Sequence, residues 1–317
     1  MPSGETLVTR DDRSWDDLGR ALGPTVQRNH PLGALTTYRV GGTAALFEEV
    51  ADRARLAEVA RCTAGAEVPV LVLGRGSNLL VADRGFDGLV VSLGPGFDTL
   101  ELEGERARAG AALSLPVLAR RTAAAGLRGL EWAVGVPGSV GGAVRMNAGG
   151  HGADTAATLV EYDWVDLATG SAGRSPAEQL APGYRTTTLV ASDVVVSATF
   201  QLAPGDRAEG AAVIAEIVRW RRSHQPGGSN AGSVFTNPPG DSAGRLIDQC
   251  GLKGFRIGTA EVSPKHANFI QADPGGSADD VRSVIEHVRE TVARTTGTVL
   301  RTEVRLIGFG TSEAGSR

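Results

Sequence analysis

Gly135-Val136-Pro137-Gly138-Ser139-Val140-Gly141-Gly142-Ala143-Val144-Arg145-Met146-Asn147-Ala148-Gly149-Gly150 places six glycines among sixteen residues. As a mere connector this segment would lose much conformational entropy on folding. Bare backbone suits a planar or extended ligand lying against it. Tight helix-on-sheet packing is the other reading, and these residues alone leave both open.

Upstream lies a second cluster, Leu73-Gly74-Arg75-Gly76-Ser77-Asn78-Leu79-Leu80. Successive N–H groups in a Gly-rich turn form a nest for phosphate oxygens, and Ser77 and Asn78 add side-chain donors. No Lys-Ser/Thr pair follows, which excludes a Walker-type triphosphate loop. The third glycine of GxGxxG is missing and strands follow the turn, so a Rossmann fold fits poorly. A plain Gly-rich hairpin turn is the bland alternative. Taken together, the two clusters point to a dinucleotide lying between two subdomains.

Around the clusters the hydrophobic pattern alternates between periods. Strands are predicted at Ala44–Val50, Pro69–Leu73, Leu79–Val81 and Leu89–Ser92, with a helix at Arg53–Ala64. A hairpin over Thr99–Ala109, a helix at Leu115–Ala125 and strands at Leu159–Asp166 and Val194–Leu202 come next. After a Gly/Asp turn at 205–206, an amphipathic helix is predicted at Ala211–Arg222. The last elements are a helix at Ala278–Thr295 and a strand at Thr298–Ile307. The class is α+β. Residues 1–24 read as a polar extension with one short helix at most. A ligand-binding domain is expected at 25–205 (subdomains about 25–95 and 96–205), a C-terminal domain at 206–310 and a tail at 311–317.

Composition narrows the partners. The net charge of −4 with no Lys/Arg stripe argues against nucleic acid. Cys62 and Cys250 form no CxxC pair, so neither a disulfide framework nor a metal site is expected. The polar, acidic start and the lack of a span-length apolar run predict a cytoplasmic protein without a membrane segment. His30 and His287 are expected at the surface. Spacing alone does not single out Tyr184-Arg185, Ser233 or Glu303.

The ordered set of motifs resembles the UDP-N-acetylenolpyruvoylglucosamine reductase family. Besides the two glycine clusters, it comprises Thr36-Thr37-Tyr38-Arg39-Val40-Gly41-Gly42, Gly183-Tyr184-Arg185 and Ala231-Gly232-Ser233-Val234-Phe235-Thr236-Asn237-Pro238. Ala243-Gly244-Arg245-Leu246-Ile247, Gly251-Leu252-Lys253-Gly254, His266-Ala267-Asn268-Phe269-Ile270 and Glu303-Val304-Arg305 complete it. The resemblance implies a two-subdomain FAD-binding module of the vanillyl-alcohol-oxidase type and a C-terminal α+β substrate domain. The compact Ser233–Lys253 segment, with no Tyr after Tyr184, resembles the shorter family subtype.

It further implies that NADPH reduces a noncovalent FAD, which passes hydride to the enolpyruvyl group of a nucleotide sugar. The expected FAD contacts are Tyr38, Arg39, Gly74, Arg75, Gly76, Ser77, Asn78, Pro137, Gly138, Ser139, Gly142 and Asn147. No His or Cys stands near either glycine cluster as an obvious attachment point. The expected catalytic groups are Arg185 on the developing enolate, Glu303 on the carboxylate and Ser233 as proton donor. Tyr184, His224, Asn237 and His266 are expected at the substrate, and the protein is expected to be a monomer. Two positions depart from the family pattern: His224 replaces a Lys before Gln225-Pro226, and His151 replaces an aromatic. An oxidase on the same fold, or a paralogue that binds without turnover, are the competing readings.

Overall fold

In the computed structural model, which describes residues 12–310, the first sheet has four strands. Their order is Gln27–Pro31, Thr43–Val50, Phe86–Leu93, Val70–Leu73, the first pair antiparallel and the others parallel. Helix α1 (Asp12–Leu22) and helix α2 (Arg53–Thr63) pack with it. The N-terminal segment is therefore more than a polar extension: α1 buries Trp15, Leu18 and Leu22 with Leu46, Leu56 and Val59. Three apolar residues on one helical face were enough to dock a segment that is otherwise charged. Asp52 caps α2, its side chain accepting from Arg55 N at 2.9 Å.

The second sheet is antiparallel, in the order Ala172–Pro176, Leu159–Asp166, Asp193–Gln201, Arg106–Gly110, Leu100–Glu103. Against it lie α3 (Leu115–Ala124), α4 (Val140–Met146) and α5 (Arg207–His224). Helix α5 was expected to open the C-terminal domain. Instead its Ile214 and Ile217 join the core of Leu118, Trp132 and Ala133. Those two residues have their apolar partners in the layer of the second sheet.

The third layer combines α6 (Ala243–Gln249), α7 (Ala278–Thr296) and a small sheet of Arg256–Ile257, Ala260–Val262 and Ile270–Ala272. Its core includes Tyr38, Val40, Leu80 and Ala82 from the first layer. Asp83 adds a polar tie, accepting from Ala278 N (2.9 Å) and Asp279 N (3.2 Å) in the first turn of α7. The predicted last strand is mostly a strap. Arg301 O accepts from Thr236 N and Glu303 N donates to Val234 O; only Arg305–Ile307 forms a ladder, parallel to Leu79–Val81. The segment changes partner midway, which an alternating apolar pattern does not reveal.

Candidate active site

Two adjoining cavities, about 360 and 410 Å³, open where the three layers meet. They share Val72, Gly74, Arg75, Ser139, Gly142 and Arg145. Both glycine clusters therefore line one space, as their joint reading predicted. Of the expected flavin contacts, Gly74, Arg75, Gly76, Ser77, Asn78, Pro137, Gly138, Ser139 and Gly142 line it.

Each glycine cluster is shaped locally. Gly76 has φ +59°, and a Cβ there would sit 2.2 Å from Leu35 O, so the turn itself requires glycine. The N–H groups of Arg75, Gly76, Ser77 and Asn78 donate to no acceptor among the described residues, leaving a run of donors facing the cavity region. In α4 the two neighbouring glycines serve different ends. A Cβ on Gly141 would come within 3.0 Å of Ala111 Cβ, so this one is a packing glycine. A Cβ on Gly142 would meet only Ser139 Oγ, at 3.5 Å, and would otherwise project beside the cavity. Protein packing does not demand that bare backbone. Arg75, Arg145, Arg185, Arg221 and Arg305 line the larger cavity with Glu303 as the lone carboxylate among its described lining. A polyanionic dinucleotide fits such a lining. Burial, with the nearby charge of Arg305, holds Arg145 down to about 10 despite Asp193.

Arg185, Ser233 and Glu303, far apart in sequence, line the same cavity. Arg185 Nε lies 2.8 Å from Glu303 Oε1, with side chains 22% and 16% exposed. The Nε–H does not point along that line, so this contact is an ion pair without a well-directed hydrogen bond. Nη2 donates to Gly149 O at 2.8 Å. Burial raises the Glu303 carboxyl above its ordinary value, and Arg185 pulls in the opposite direction without cancelling the rise. The backbone around Glu303 is fixed from two sides. Its N–H donates to Val234 O (2.8 Å), next to Ser233, and its carbonyl accepts from Asn78 Nδ2 (3.1 Å) in the cofactor-side turn. Gly232, at φ +75°, turns the chain immediately before Ser233.

Other expected contacts lie elsewhere. Tyr38 is fully buried in the third layer's core with its hydroxyl unpartnered, and burial pushes its phenol up. Arg39 is exposed in a left-handed turn at φ +58°. Neither lines a cavity; their segment instead supports the turn through Thr37 N, which donates to Gly76 O at 3.2 Å. Asn147 is buried, and its side chain bonds to Asp154, Gly183 and Ala156. Among the substrate expectations, Tyr184 is 60% exposed beside Arg185, whose guanidinium carbon lies 5.3 Å from its ring centroid. Asn237 Oδ1 accepts from Ala243 N at 3.0 Å and so holds the start of α6.

His266 accepts from Asn268 N and stands behind the cavity-lining Phe269, 4.7 Å between ring centroids. His224 stacks on Trp220 at 4.5 Å, and His151 meets the same Trp edge-on at 5.3 Å. The two family departures thus share one aromatic cluster outside the cavity lining. One helical turn before Gln225, Arg221 lines the cavity with it and donates to Gln225 Oε1 at 2.7 Å. Sequence reasoning missed Arg221, Gln225, Arg145 and Arg305. The i, i+4 spacing of the first two was the available signal. His30 and His287, expected at the surface, lie half-buried and flat on Phe47 and Phe255.

The family pattern described as "UDP-N-acetylenolpyruvoylglucosamine reductase, C-terminal domain" matches residues 224–307, and that of an FAD binding domain matches 44–174. The first begins at His224, the last residue of α5. UDP-N-acetylenolpyruvoylglucosamine reductase 2 of Symbiobacterium thermophilum is 43% identical over 89% of this chain and 92% of its own. The reductase of Heliobacterium modesticaldum is 43% identical over 96% of this chain and 94% of its own. The crystal structure of UDP-N-acetylenolpyruvylglucosamine reductase from Thermus caldophilus superposes with a TM-score of 0.78. It is 37% identical, and the match covers 89% of this chain and 98% of that one. With flavin-side and C-terminal patterns in series and the relatives matched almost end to end, the chain belongs to the UDP-N-acetylenolpyruvoylglucosamine reductase family of FAD-dependent oxidoreductases.

Proposed function

We propose that the protein reduces the enolpyruvyl group of UDP-N-acetylglucosamine enolpyruvate to give UDP-N-acetylmuramate, with NADPH as hydride donor. Its place would be peptidoglycan precursor synthesis in the cytoplasm. The observation that carries this reading is the ion pair Arg185–Glu303 with Ser233 in the cavity that both glycine clusters line. Held along Gly74–Asn78 and Gly138–Gly142, FAD would supply the hydride-transfer chemistry between NADPH and the terminal carbon of the enolpyruvyl double bond.

The protein's own groups handle the charge and the proton. Negative charge would develop on the neighbouring carbon and its carboxylate, and the Arg185 guanidinium is placed to receive it through charge-assisted hydrogen bonds. Glu303 is a carboxylate in its pair with Arg185, but burial makes it easier to protonate than a solvated glutamate, and in the protonated form it would donate to the substrate carboxylate. Ser233 Oγ makes no hydrogen bond among the described residues, leaving its proton for the carbanionic carbon.

Anaerobic stopped-flow absorbance separates the two halves. NADPH should bleach the yellow protein, and enolpyruvyl nucleotide sugar should restore the colour. Ser233→Ala should leave the first half intact and slow the second by roughly 10²-fold or more, with Ser233→Cys recovering part of the rate. Equal slowing of both halves would assign Ser233 to folding or flavin binding. Recovery only with oxygen would indicate an oxidase, and no bleaching a protein without turnover.

A further inference from the structure

We infer that Asn147 is a positioning residue for Arg185, acting through the carbonyl of Gly183. The inference rests on the role given to Arg185 above. Asn147 is 5% exposed and lines neither cavity. Both of its amide donors are engaged: Nδ2 donates to Asp154 Oδ2 and to Gly183 O, each at 3.0 Å, and Oδ1 accepts from Ala156 N at 3.0 Å. A contact in which this amide donates to the cofactor would have to displace one of the two Nδ2 bonds.

The bond to Gly183 bears on the ion pair. Gly183 and Thr186 close a four-residue turn around Arg185: Gly183 N donates to Thr186 O at 3.0 Å, while the return bond from Thr186 N is 3.4 Å. Arg185 sits in that turn at φ +60°, a conformation a side-chain-bearing residue keeps only when its surroundings enforce it. The weaker side of the turn is the Gly183 carbonyl, where Asn147 supplies the second, shorter bond. From the same segment, Gly149 O accepts from Arg185 Nη2. Asn147 itself ends α4 in the left-handed region, at φ 40°. Helix α4 also carries Gly142 beside the cavity, so this asparagine registers the guanidinium against the cofactor side of the site.

Asn147 also holds a local loop through Asp154 and Ala156, so simple deletion would confound two roles. Exchanging the pair, Asn147→Asp with Asp154→Asn, separates them. A carboxylate at 147 still accepts from Ala156 N and now accepts from the carboxamide at 154. That carboxamide keeps an oxygen for Ala157 N, which Asp154 Oδ1 serves at 3.1 Å. Only the donor to Gly183 O is lost, replaced by an oxygen facing an oxygen.

The double variant should fold, bind flavin and be reduced by NADPH as the wild type is. Its reoxidation by enolpyruvyl nucleotide sugar should slow on the order of 10²-fold, as for a misplaced catalytic group. Deuterium uptake in the 181–191 segment should rise. Asp154→Asn alone, whose single oxygen can serve Ala157 N or Asn147 Nδ2 but not both, loosens only the local loop; Asn147 still donates to Gly183 O, so both readouts should stay as in the wild type. Wild-type reoxidation and uptake in the double variant would overturn the inference, leaving Asn147 a local loop residue. Loss of flavin together with equal slowing of both halves would overturn it in favour of a cofactor contact. If wild-type flavin were not reoxidised by the nucleotide sugar, the functional reading would fail on its own. The uptake measurement would still decide the case of Asn147, with unchanged uptake overturning it.

Discussion

Glu303 carries the site's most informative proton. Burial raises its carboxyl and Arg185, 2.8 Å away, restrains the rise, so it remains protonated to higher pH than a solvated glutamate. If the protonated acid serves the substrate, reoxidation by enolpyruvyl substrate should run well below that raised value and decline as pH climbs through it. Glu303→Gln keeps the shape and a donor but cannot titrate, so it should flatten the decline in the pH profile of that half-reaction. A decline unchanged in the variant would belong to another group. The resemblance named Arg185, Ser233 and Glu303 from the sequence, but no spacing rule connects positions 185, 233 and 303. What joins them is backbone: a left-handed turn at Arg185, Gly232 before Ser233, and bonds from Asn78 and to Val234 around Glu303. A motif match says a residue type is needed there, not which way it faces: Tyr38 packs in the third layer's core, and Asn147 donates to Gly183 O.

Helix α4 is seven residues long and has consecutive glycines, each costing about 1 kcal/mol relative to Ala in a helix interior. Gly141 is explained by Ala111, whereas Gly142 is explained by the cavity. Gly142→Val should therefore melt within a few degrees of the wild type yet lose flavin, read as the ratio of flavin to protein absorbance after gel filtration. Full flavin occupancy in that variant would place the cofactor away from this face. At this scale the sequence was legible wherever periodicity had one cause. The strand Leu159–Asp166 emerged with its predicted bounds, and helix Ala278–Thr296 extended one residue beyond them. It was illegible where an element answers to two neighbours. The strap from 298 to 304 pairs with neither sheet as a ladder, and α5 turns Ile214 and Ile217 back toward the flavin side.

Across the molecule, Asp163 joins α2 to the second sheet. Arg108 and Arg174 from that sheet and Arg53 from α2 surround it, with Ser197 donating at 3.0 Å. Burial alone would raise its carboxyl. The bonds from Arg174, Ser197 and Arg53, with the charge of Arg108, overcome that and bring it to about 2. A folded value below the unfolded 3.8 means stability that is present above about pH 4 and lost as pH falls toward 2. The group then contributes on the order of 2 kcal/mol at neutral pH. Urea unfolding should show Asp163→Asn destabilised at pH 7, with the gap to wild type closing between pH 4 and 2. A constant gap would remove Asp163 from the acid transition. The α+β class and the flavin module were legible at this scale because two glycine clusters and an ordered motif set report on the whole chain. Which core a segment joins was not, since Val194 and Val196 enter the first layer's core while Tyr38, Val40, Leu80 and Ala82 enter the third's, which no local pattern assigns. The parallel ladder between Leu79–Val81 and Arg305–Ile307 also sets a timetable for biosynthesis. At the usual ~5–20 residues per second, the ribosome needs about 10–45 s to travel from Asn78 to Arg305. Through that interval the glycine turn and the strand after it exist without the strand that pairs beside them, so this part of the cavity wall is among the last to be completed in each new chain.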